Sequence, residues 1–93
     1  MNIHPGEFVY ATKGRDLGKC FLVIARKDDY LYLCDGKSRK VSNPKKKKLK
    51  HTSPLGISDC DITRKLTEEC ILTNKEIRCS LMKIKSRVSE QNC

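Results

Sequence analysis

The sequence has no tryptophan, only five aromatic residues, and no apolar run approaching the ~20 residues that span a bilayer. Patterns of common catalytic centres are also missing. The sequence shows no recognisable Ser-His-Asp triad, no phosphate-binding Gly-x-x-x-x-Gly-Lys-Ser/Thr segment, and no pair of carboxylates in an apolar setting. Residues 1–5 lack the charged start and apolar run of an export signal. These absences predict a cytoplasmic protein that is not an enzyme and has no membrane partner.

Close cysteine pairs are absent too, although the chain contains six cysteines. A structural zinc site needs closely spaced ligand pairs, so we predict no metal and no other cofactor. Without an export signal the thiols are expected to be reduced. We interpret them as small buried apolar residues and tolerated surface residues. They are Cys20, Cys34, Cys60, Cys70, Cys79 and Cys93.

Positive charge is what the sequence has in excess, and it is unevenly placed. The net charge is +9, and residues 1–54 contain 13 Lys or Arg against 5 Asp or Glu, whereas residues 55–93 contain 7 against 6. Between Lys37 and Lys50 there are eight basic residues and no acidic one. Concentrated like charge is costly unless a partner neutralises it. A nucleic acid is therefore the favoured partner.

The first 54 residues have the pattern of a small, mainly β domain. Short apolar segments alternate with turn residues, notably Gly14, Gly18 and the pair Asp35-Gly36. In the last of these segments Leu49 is expected to point inward. Five short strands at this spacing predict a small β-barrel. The predicted strands are residues 7–12, 20–25, 30–34, 39–41 and 48–51.

The chain changes character after a predicted linker at 52–56, which contains Pro54 and Gly56. We therefore divide it into a barrel of residues 1–54 and a C-terminal helical segment of residues 55–93. The predicted fold class is mainly β with C-terminal α, a barrel followed by two short helices.

Two helix starts can be located in the C-terminal segment. Ser58 is the predicted cap of a helix over residues 59–70, in which Ile62, Leu66 and Cys70 form one apolar stripe. Thr73 and Glu76 are spaced as a capping box for a second helix. Its predicted apolar face consists of Ile77, Leu81, Ile84 and Val88.

The order of strand, Gly-x-x-x-Gly-Lys turn and strand around Gly14–Lys19 resembles the KOW motif. The longer string over residues 5–54 is most similar to archaeal and eukaryotic large-subunit ribosomal proteins with an N-terminal KOW domain, and to the small bacterial KOW-domain RNA-binding proteins related to them. The chain departs from the generic motif because no glycine follows Lys19. The resemblance implies an SH3-like barrel that contacts ribosomal RNA, with ribosomal proteins as further partners. It rests on Gly14–Lys19, Asp35-Gly36, Arg39–Val41 and Pro44–His51.

The candidate RNA contacts are basic side chains of the turn and of the basic segment. Their ammonium and guanidinium groups would donate to phosphate oxygens, which positions an RNA without reading its sequence. Tyr30 and Tyr32 either stack bases or cover the core, and the sequence does not decide between the two. The predicted contacts are Lys13, Arg15, Lys19, Lys37, Arg39, Lys40, Lys45, Lys46, Lys47, Lys48 and Lys50.

Two other functions remain open. In the first, the barrel is a protein-interaction module that binds a ribosomal protein or RNA polymerase, as KOW domains of elongation factors do. In the second, the C-terminal helices form a DNA-binding helix-turn-helix, although the connection 71–74 lacks the usual glycine. The second helix is basic, with Lys75, Arg78, Lys83, Lys85 and Arg87.

Overall fold

A five-stranded antiparallel sheet followed by two helices makes up the described part of the chain. The computed structural model describes residues 3–91, with side chains for residues 3–85. A short 3₁₀ helix, Leu49–His51, lies between the last two strands. The elements are β1 Glu7–Ala11, β2 Cys20–Lys27, β3 Tyr30–Cys34, β4 Lys45–Lys48, β5 Thr52–Ser58, α1 Cys60–Thr67 and α2 Asn74–Gln91.

The sheet is curled, because its two edge strands are joined by a very short connection. The strand order is β4-β3-β2-β1-β5, so β4 and β5 lie on opposite edges. In a flat sheet these edges would be about 19 Å apart, whereas the four residue steps from Lys48 to Thr52 span at most about 14 Å. Hydrogen bonds fix the connection at both ends, from Leu49 N–H to Asp29 O at 2.7 Å and from Thr12 N–H to His51 O at 2.9 Å.

This architecture confirms a small β domain followed by helices. It does not show a closed barrel, since within residues 3–91 no strand pairing joins β4 to β5 and the sheet is open. The expected inward position of Leu49 is confirmed, because its side chain packs against the core inside the curl. The segment that contains it is a 3₁₀ helix, however, and the prediction of a strand at 48–51 was wrong.

Two apolar cores lie on opposite faces of the sheet, which explains why β2 is apolar without alternation. In β1, Phe8 faces the helices while Val9 and Ala11 face the inside of the curl. Successive side chains of β2 likewise enter different cores. The inner core consists of Ile3, Val9, Ala11, Phe21, Val23, Leu31 and Leu33. The outer core, between sheet and helices, consists of Phe8, Leu22, Cys34, Ile62, Leu72, Ile77, Leu81 and Ile84.

The predicted linker at 52–56 is a strand. In β5, Pro54 is opposite Val9 and Ser58 is opposite Glu7, and the register shifts between these pairs. Gly56, at φ +72°, lies within the shift. Proline is tolerated in an edge strand and glycine at a bulge, so both residues fit β5 without ending it. The proposed boundary after residue 54 therefore falls inside a strand.

The two helices begin close to the predicted positions. Asp59, not Ser58, caps α1, and its carboxylate accepts hydrogen bonds from two backbone N–H groups of the first turn. The capping box before α2 is confirmed, because Thr73 N–H donates to Glu76 at 2.9 Å and Glu76 N–H donates to Thr73 Oγ1 at 3.2 Å. Cys70 lies beyond the end of α1 and is exposed, contrary to the predicted stripe.

The predicted apolar face of α2 is confirmed where the structure describes it, since Ile77, Leu81 and Ile84 are buried in the outer core. The side chain of Val88 lies outside the described residues. Within residues 3–91, neither helix combines the length and the apolar character needed to cross a bilayer.

Candidate nucleic-acid interface

The four consecutive lysines form β4, and the strand directs them alternately to its two faces. Lys47 is paired with Leu31 and Lys45 with Leu33. Cross-strand partners share a face, and both leucines are buried in the inner core. Lys45 and Lys47, here called the inner pair, therefore lie on the inner side of the curl. Lys46 and Lys48, here called the outer pair, lie on the opposite side and are exposed.

The inner pair is occupied by contacts with the loop between β1 and β2. The Lys45 ammonium donates to the Asp16 carboxylate, and Lys47 Nζ donates to the backbone oxygen of Lys13 at 2.8 Å. The hydrogen bond from Lys45 and the charges of Lys45, Lys19 and Lys47 lower the pKa of Asp16 below its ordinary value, against the opposing effect of burial. The inner pair thus ties the loop to the far edge of the sheet.

The outer pair lies beside two tyrosines of β3. Tyr30 is paired with Lys48 and Tyr32 with Lys46, and both tyrosines are half-buried. The Lys46 ammonium nitrogen is 4.4 Å from the centre of the Tyr30 ring, a cation–π distance. The outer face of β3 and β4 therefore combines exposed ammonium groups with accessible aromatic rings.

Two residues of β2 extend this face. Ala25 is paired with Tyr32 and Lys27 with Tyr30 on the side away from β4. Lys27 is exposed. Lys27 is not among the contacts predicted from the sequence. Lys27 is far from the basic segment along the chain, so the sequence did not indicate that the two are close. The pairing of Lys27 with Tyr30 brings it to this face.

Lysines from three segments converge at the 3₁₀ helix. The pKa of His51 is lowered by desolvation and by positive charge around it. The charges come from the β1–β2 loop, β4 and the 3₁₀ helix, namely Lys13, Lys50, Lys48 and Lys47. The part of this shift that comes from the lysines reflects positive potential, because protonation adds a cation to a site that already holds several.

The predicted contacts in the loop after β3 are separated from this convergence. The Asp35 carboxylate accepts backbone N–H bonds from Lys37 and Arg39, each at 2.8 Å. Burial would raise the pKa of Asp35, but these bonds and that from Ser38 keep it below its ordinary value. Asp35 thereby folds residues 35–39 into a loop, so the predicted strand at 39–41 was wrong.

That loop is docked on the start of α2. Gly36 has φ +76°, and a Cβ there would lie 2.3 Å from the Asn74 carbonyl oxygen. Arg78 donates to Gly36 O at 2.6 Å, and Val41 N–H donates to the Asn74 side chain at 2.8 Å. The basic residues of this loop follow the Cys34 end of β3, whereas the 3₁₀ helix lies near its Tyr30 end. They are Lys37, Arg39 and Lys40.

The tip of the β1–β2 loop has the backbone geometry that its glycines predicted. Gly14 and Gly18 have φ of +87° and +83°, in the region that favours glycine. Arg15 between them is exposed, and Lys19 is exposed with its ammonium 3.6 Å from Asp16. Both cations are on the solvent side of the loop, where they can reach a polyanion.

The cysteines form no site among the described residues. Cys34 is buried in the outer core, where burial and the charge of Asp35 raise the pKa of its thiol to about 12. The other described cysteines, Cys20, Cys60, Cys70 and Cys79, are also free thiols, and Cys93 lies outside the described residues. In the part of the chain that the structure covers, no three His, Cys, Asp or Glu side chains come together as metal ligands.

The chemistry available at this surface is hydrogen bonding to anionic oxygens and stacking on tyrosine rings. Comparison with protein-family models finds no match for the chain, and comparison with curated proteins finds none. The likeness to KOW-domain proteins therefore depends on the residues of the chain itself and stays a prediction.

Proposed function

We propose that the protein binds RNA through the outer face of β3 and β4 and the adjoining 3₁₀ helix. The observation that carries the proposal is the exposure of Lys46 and Lys48 beside the two tyrosines of β3. The hydrogen bond from Thr12 N–H to His51 O also brings the β1–β2 loop, which contains Lys13, to the 3₁₀ helix. Folding that gathers cations from distant parts of the chain costs electrostatic repulsion, and a polyanion relieves that repulsion. Phosphate oxygens are the matching acceptors for ammonium donors.

The contacting set is narrower than the basic composition implies. We assign phosphate contacts to the exposed cations of the outer pair, the 3₁₀ helix and the loop tip. The inner pair has a different task, because Asp16 and the Lys13 carbonyl already engage its ammonium groups. The assigned contacts are Lys13, Arg15, Lys19, Lys46, Lys48 and Lys50, together with Lys27 at the end of β2.

The fold is a second argument for RNA binding. We infer that the curled sheet is an SH3-like barrel of the KOW type, left open between β4 and β5. The glycine-bracketed loop between β1 and β2 and the short 3₁₀ connection between the edge strands support this inference. With the resemblance of residues 5–54, the proposed fold favours ribosomal RNA as the particular ligand and the ribosome as its location.

The DNA-binding alternative receives less support from the structure. A recognition helix reads bases mainly with residues of its first turns. In α2 these turns are packed against the loop after β3, where Asn74 touches Gly36 and Arg78 donates to the Gly36 carbonyl. We therefore place the nucleic-acid site on the sheet and not on α2.

Affinity purification with and without nuclease tests the proposal against the protein-interaction alternative. We expect the tagged protein to recover RNA, and its co-purifying proteins to be lost after nuclease treatment. A Lys46→Gln, Lys48→Gln variant should recover less RNA than the parent. A matched variant with Lys75→Gln and Lys85→Gln, both exposed on α2, should recover as much as the parent. Protein partners that survive nuclease treatment, with no RNA recovered, would contradict the proposal.

A further inference from the structure

We propose that the RNA segment bound at this surface is unpaired, and that Tyr30 and Tyr32 stack two of its bases. The inference rests on the proposed RNA-binding function and specifies its ligand. It starts from the position of the two tyrosines, which project from β3 on the same face because they are two residues apart. Both are half-buried, so part of each side chain remains accessible.

The neighbours of the two tyrosines leave room for a ligand and supply charge for its backbone. Tyr32 lies between Ala25 on β2 and Lys46 on β4. The side chain of Ala25 is small, and Tyr32 is only half-buried. Tyr30 lies between two lysines, Lys27 and Lys48. The rings are thus flanked by cations that can follow a phosphate backbone, an arrangement typical of surfaces for single strands.

The spacing of the rings favours an unpaired strand. Residues two apart on a strand are separated by about 6.7 Å, which is about twice the ~3.4 Å separation of stacked bases along one strand of duplex DNA. Two successive bases can occupy the two tyrosines only if the strand is extended and the bases are unstacked from each other. Bases in this state occur in loops, bulges and ends of RNA.

An open cavity adjoins Tyr30. It has a volume of about 470 Å³ and is lined by Asp29, Tyr30, Lys48, Leu49 and Lys50. Lys48 and Lys50 both belong to the basic convergence around His51. A base stacked on Tyr30 can therefore enter a recess whose lining already carries phosphate-binding groups.

Lys46 currently occupies the position over the Tyr30 ring. An exposed cation–π contact is usually weaker than stacking of a base on an aromatic ring. We therefore expect an incoming base to displace the Lys46 ammonium, which then becomes free to donate to a phosphate. In the free protein the contact keeps this cation beside the ring.

Tyrosine fluorescence tests the proposal directly, because the protein contains three tyrosines and no tryptophan. The ligands are a short unpaired RNA, the duplex of the same sequence, and inorganic polyphosphate, which has charge but no bases. The unpaired RNA should quench the fluorescence and bind more tightly than the duplex. Tyr32→Leu should lose roughly tenfold in affinity for it, Tyr32→Phe should lose little, and polyphosphate binding should be the same for all three proteins.

Tyr10→Leu is the matched control, since Tyr10 is half-buried on β1 and opposite Cys20, away from β4. Its affinity for unpaired RNA should equal that of the parent, and thermal melts should show all variants folded. Equal affinity for duplex and unpaired RNA, without quenching, would overturn the stacking proposal and leave RNA binding intact. Failure of every RNA to bind would instead overturn the proposed function.

Discussion

The inner and outer lysine pairs of β4 are chemically identical and adjacent in the chain, yet their surroundings differ. Lys45 and Lys47 share a face with buried leucines and donate to groups of the β1–β2 loop. Lys46 and Lys48 share a face with two tyrosines and are exposed. The register of β4 against β3 therefore places one pair in structural contacts and leaves the other exposed for the binding role that we propose.

The difference between the two pairs shows how a small domain can contain a strongly basic segment. Charge repulsion need not oppose folding at every lysine, because some of the lysines have acceptors in the folded protein. The inner pair meets the Asp16 carboxylate and a backbone carbonyl, so each of its ammonium groups has an acceptor in the folded protein. In the outer pair, Lys46 lies over the Tyr30 ring, and neither lysine forms an ion pair within residues 3–85. Its unrelieved charge is what a polyanion would neutralise.

The largest effect is expected from changing the outer pair. Lys46→Gln with Lys48→Gln removes two proposed phosphate contacts, so RNA affinity at ~0.1 M salt should fall roughly tenfold to a hundredfold. The plot of log affinity against log salt should become less steep by about two. Fluorescence anisotropy over a salt series measures both quantities. The α2 variant with Lys75→Gln and Lys85→Gln carries the same charge change and should keep the parent slope.

Changing the inner pair should act mainly on stability. Lys45→Gln with Lys47→Gln removes an ion pair and a hydrogen bond that hold the β1–β2 loop, at a cost of about 1 kcal/mol. For a domain of this size the melting temperature should fall by roughly 4–8 °C. The salt slope should change less than in the outer variant. An unchanged melting temperature together with a loss of binding equal to that of the outer variant would remove the distinction between the pairs.

A double-mutant cycle tests whether the inner pair acts through the loop. Gly18 has φ +83° and open space where a Cβ would be, so Gly18→Ala should cost about 1 kcal/mol for backbone strain alone. Once the inner lysines are changed, a strained loop can relax. The loss in free energy of unfolding of the combined variant, measured in urea, should therefore be about 0.5 kcal/mol smaller than the sum of the two separate losses. Strict additivity would show that the lysines and the loop are independent.

The smallest effect concerns pH. The Asp16 pKa is lowered in the folded protein, first by the hydrogen bond from Lys45. A lowered carboxyl pKa adds stability above the unfolded pKa, near 3.9, and this stability is lost as the pH falls through the folded value. The parent should thus be more stable than Asp16→Asn at neutral pH, and the gap should narrow below about pH 4. Melting curves of both proteins over this pH range measure the difference in stability. A difference that stays constant as the pH falls would contradict the prediction.

Short apolar segments predicted β1, β2 and β3, although the segment of β2 is continuous and does not alternate, because in these strands the apolar side chains have to enter the cores. The pattern could not predict β4, since four identical lysines contain no periodicity and lysine does not favour strands. Pairing with β3 supplies what the local sequence lacks. Likewise Pro54 and Gly56 read as a linker, although an edge strand with a bulge accommodates both.

The sequence predicted which kinds of residue form the candidate site, but not how the fold arranges them. The basic segment was identified from charge, and the loop tip from its basic residues together with the resemblance to KOW domains. Which lysines face outward depends on register, and the addition of Lys27 depends on its pairing with Tyr30. The separation of Lys37, Arg39 and Lys40 depends on the loop that the Asp35 carboxylate folds.

Lysine acetylation footprinting with and without RNA tests the central claim most directly, because it follows each ammonium group in the unaltered protein by mass spectrometry. In the free protein Lys46, Lys48 and Lys50 should react faster than Lys45 and Lys47. RNA should protect the first three strongly and leave exposed Lys75 and Lys85 on α2 reactive. Protection spread evenly over β4 and α2, or strongest at Lys45 and Lys47, would contradict the assignment of binding to the outer face.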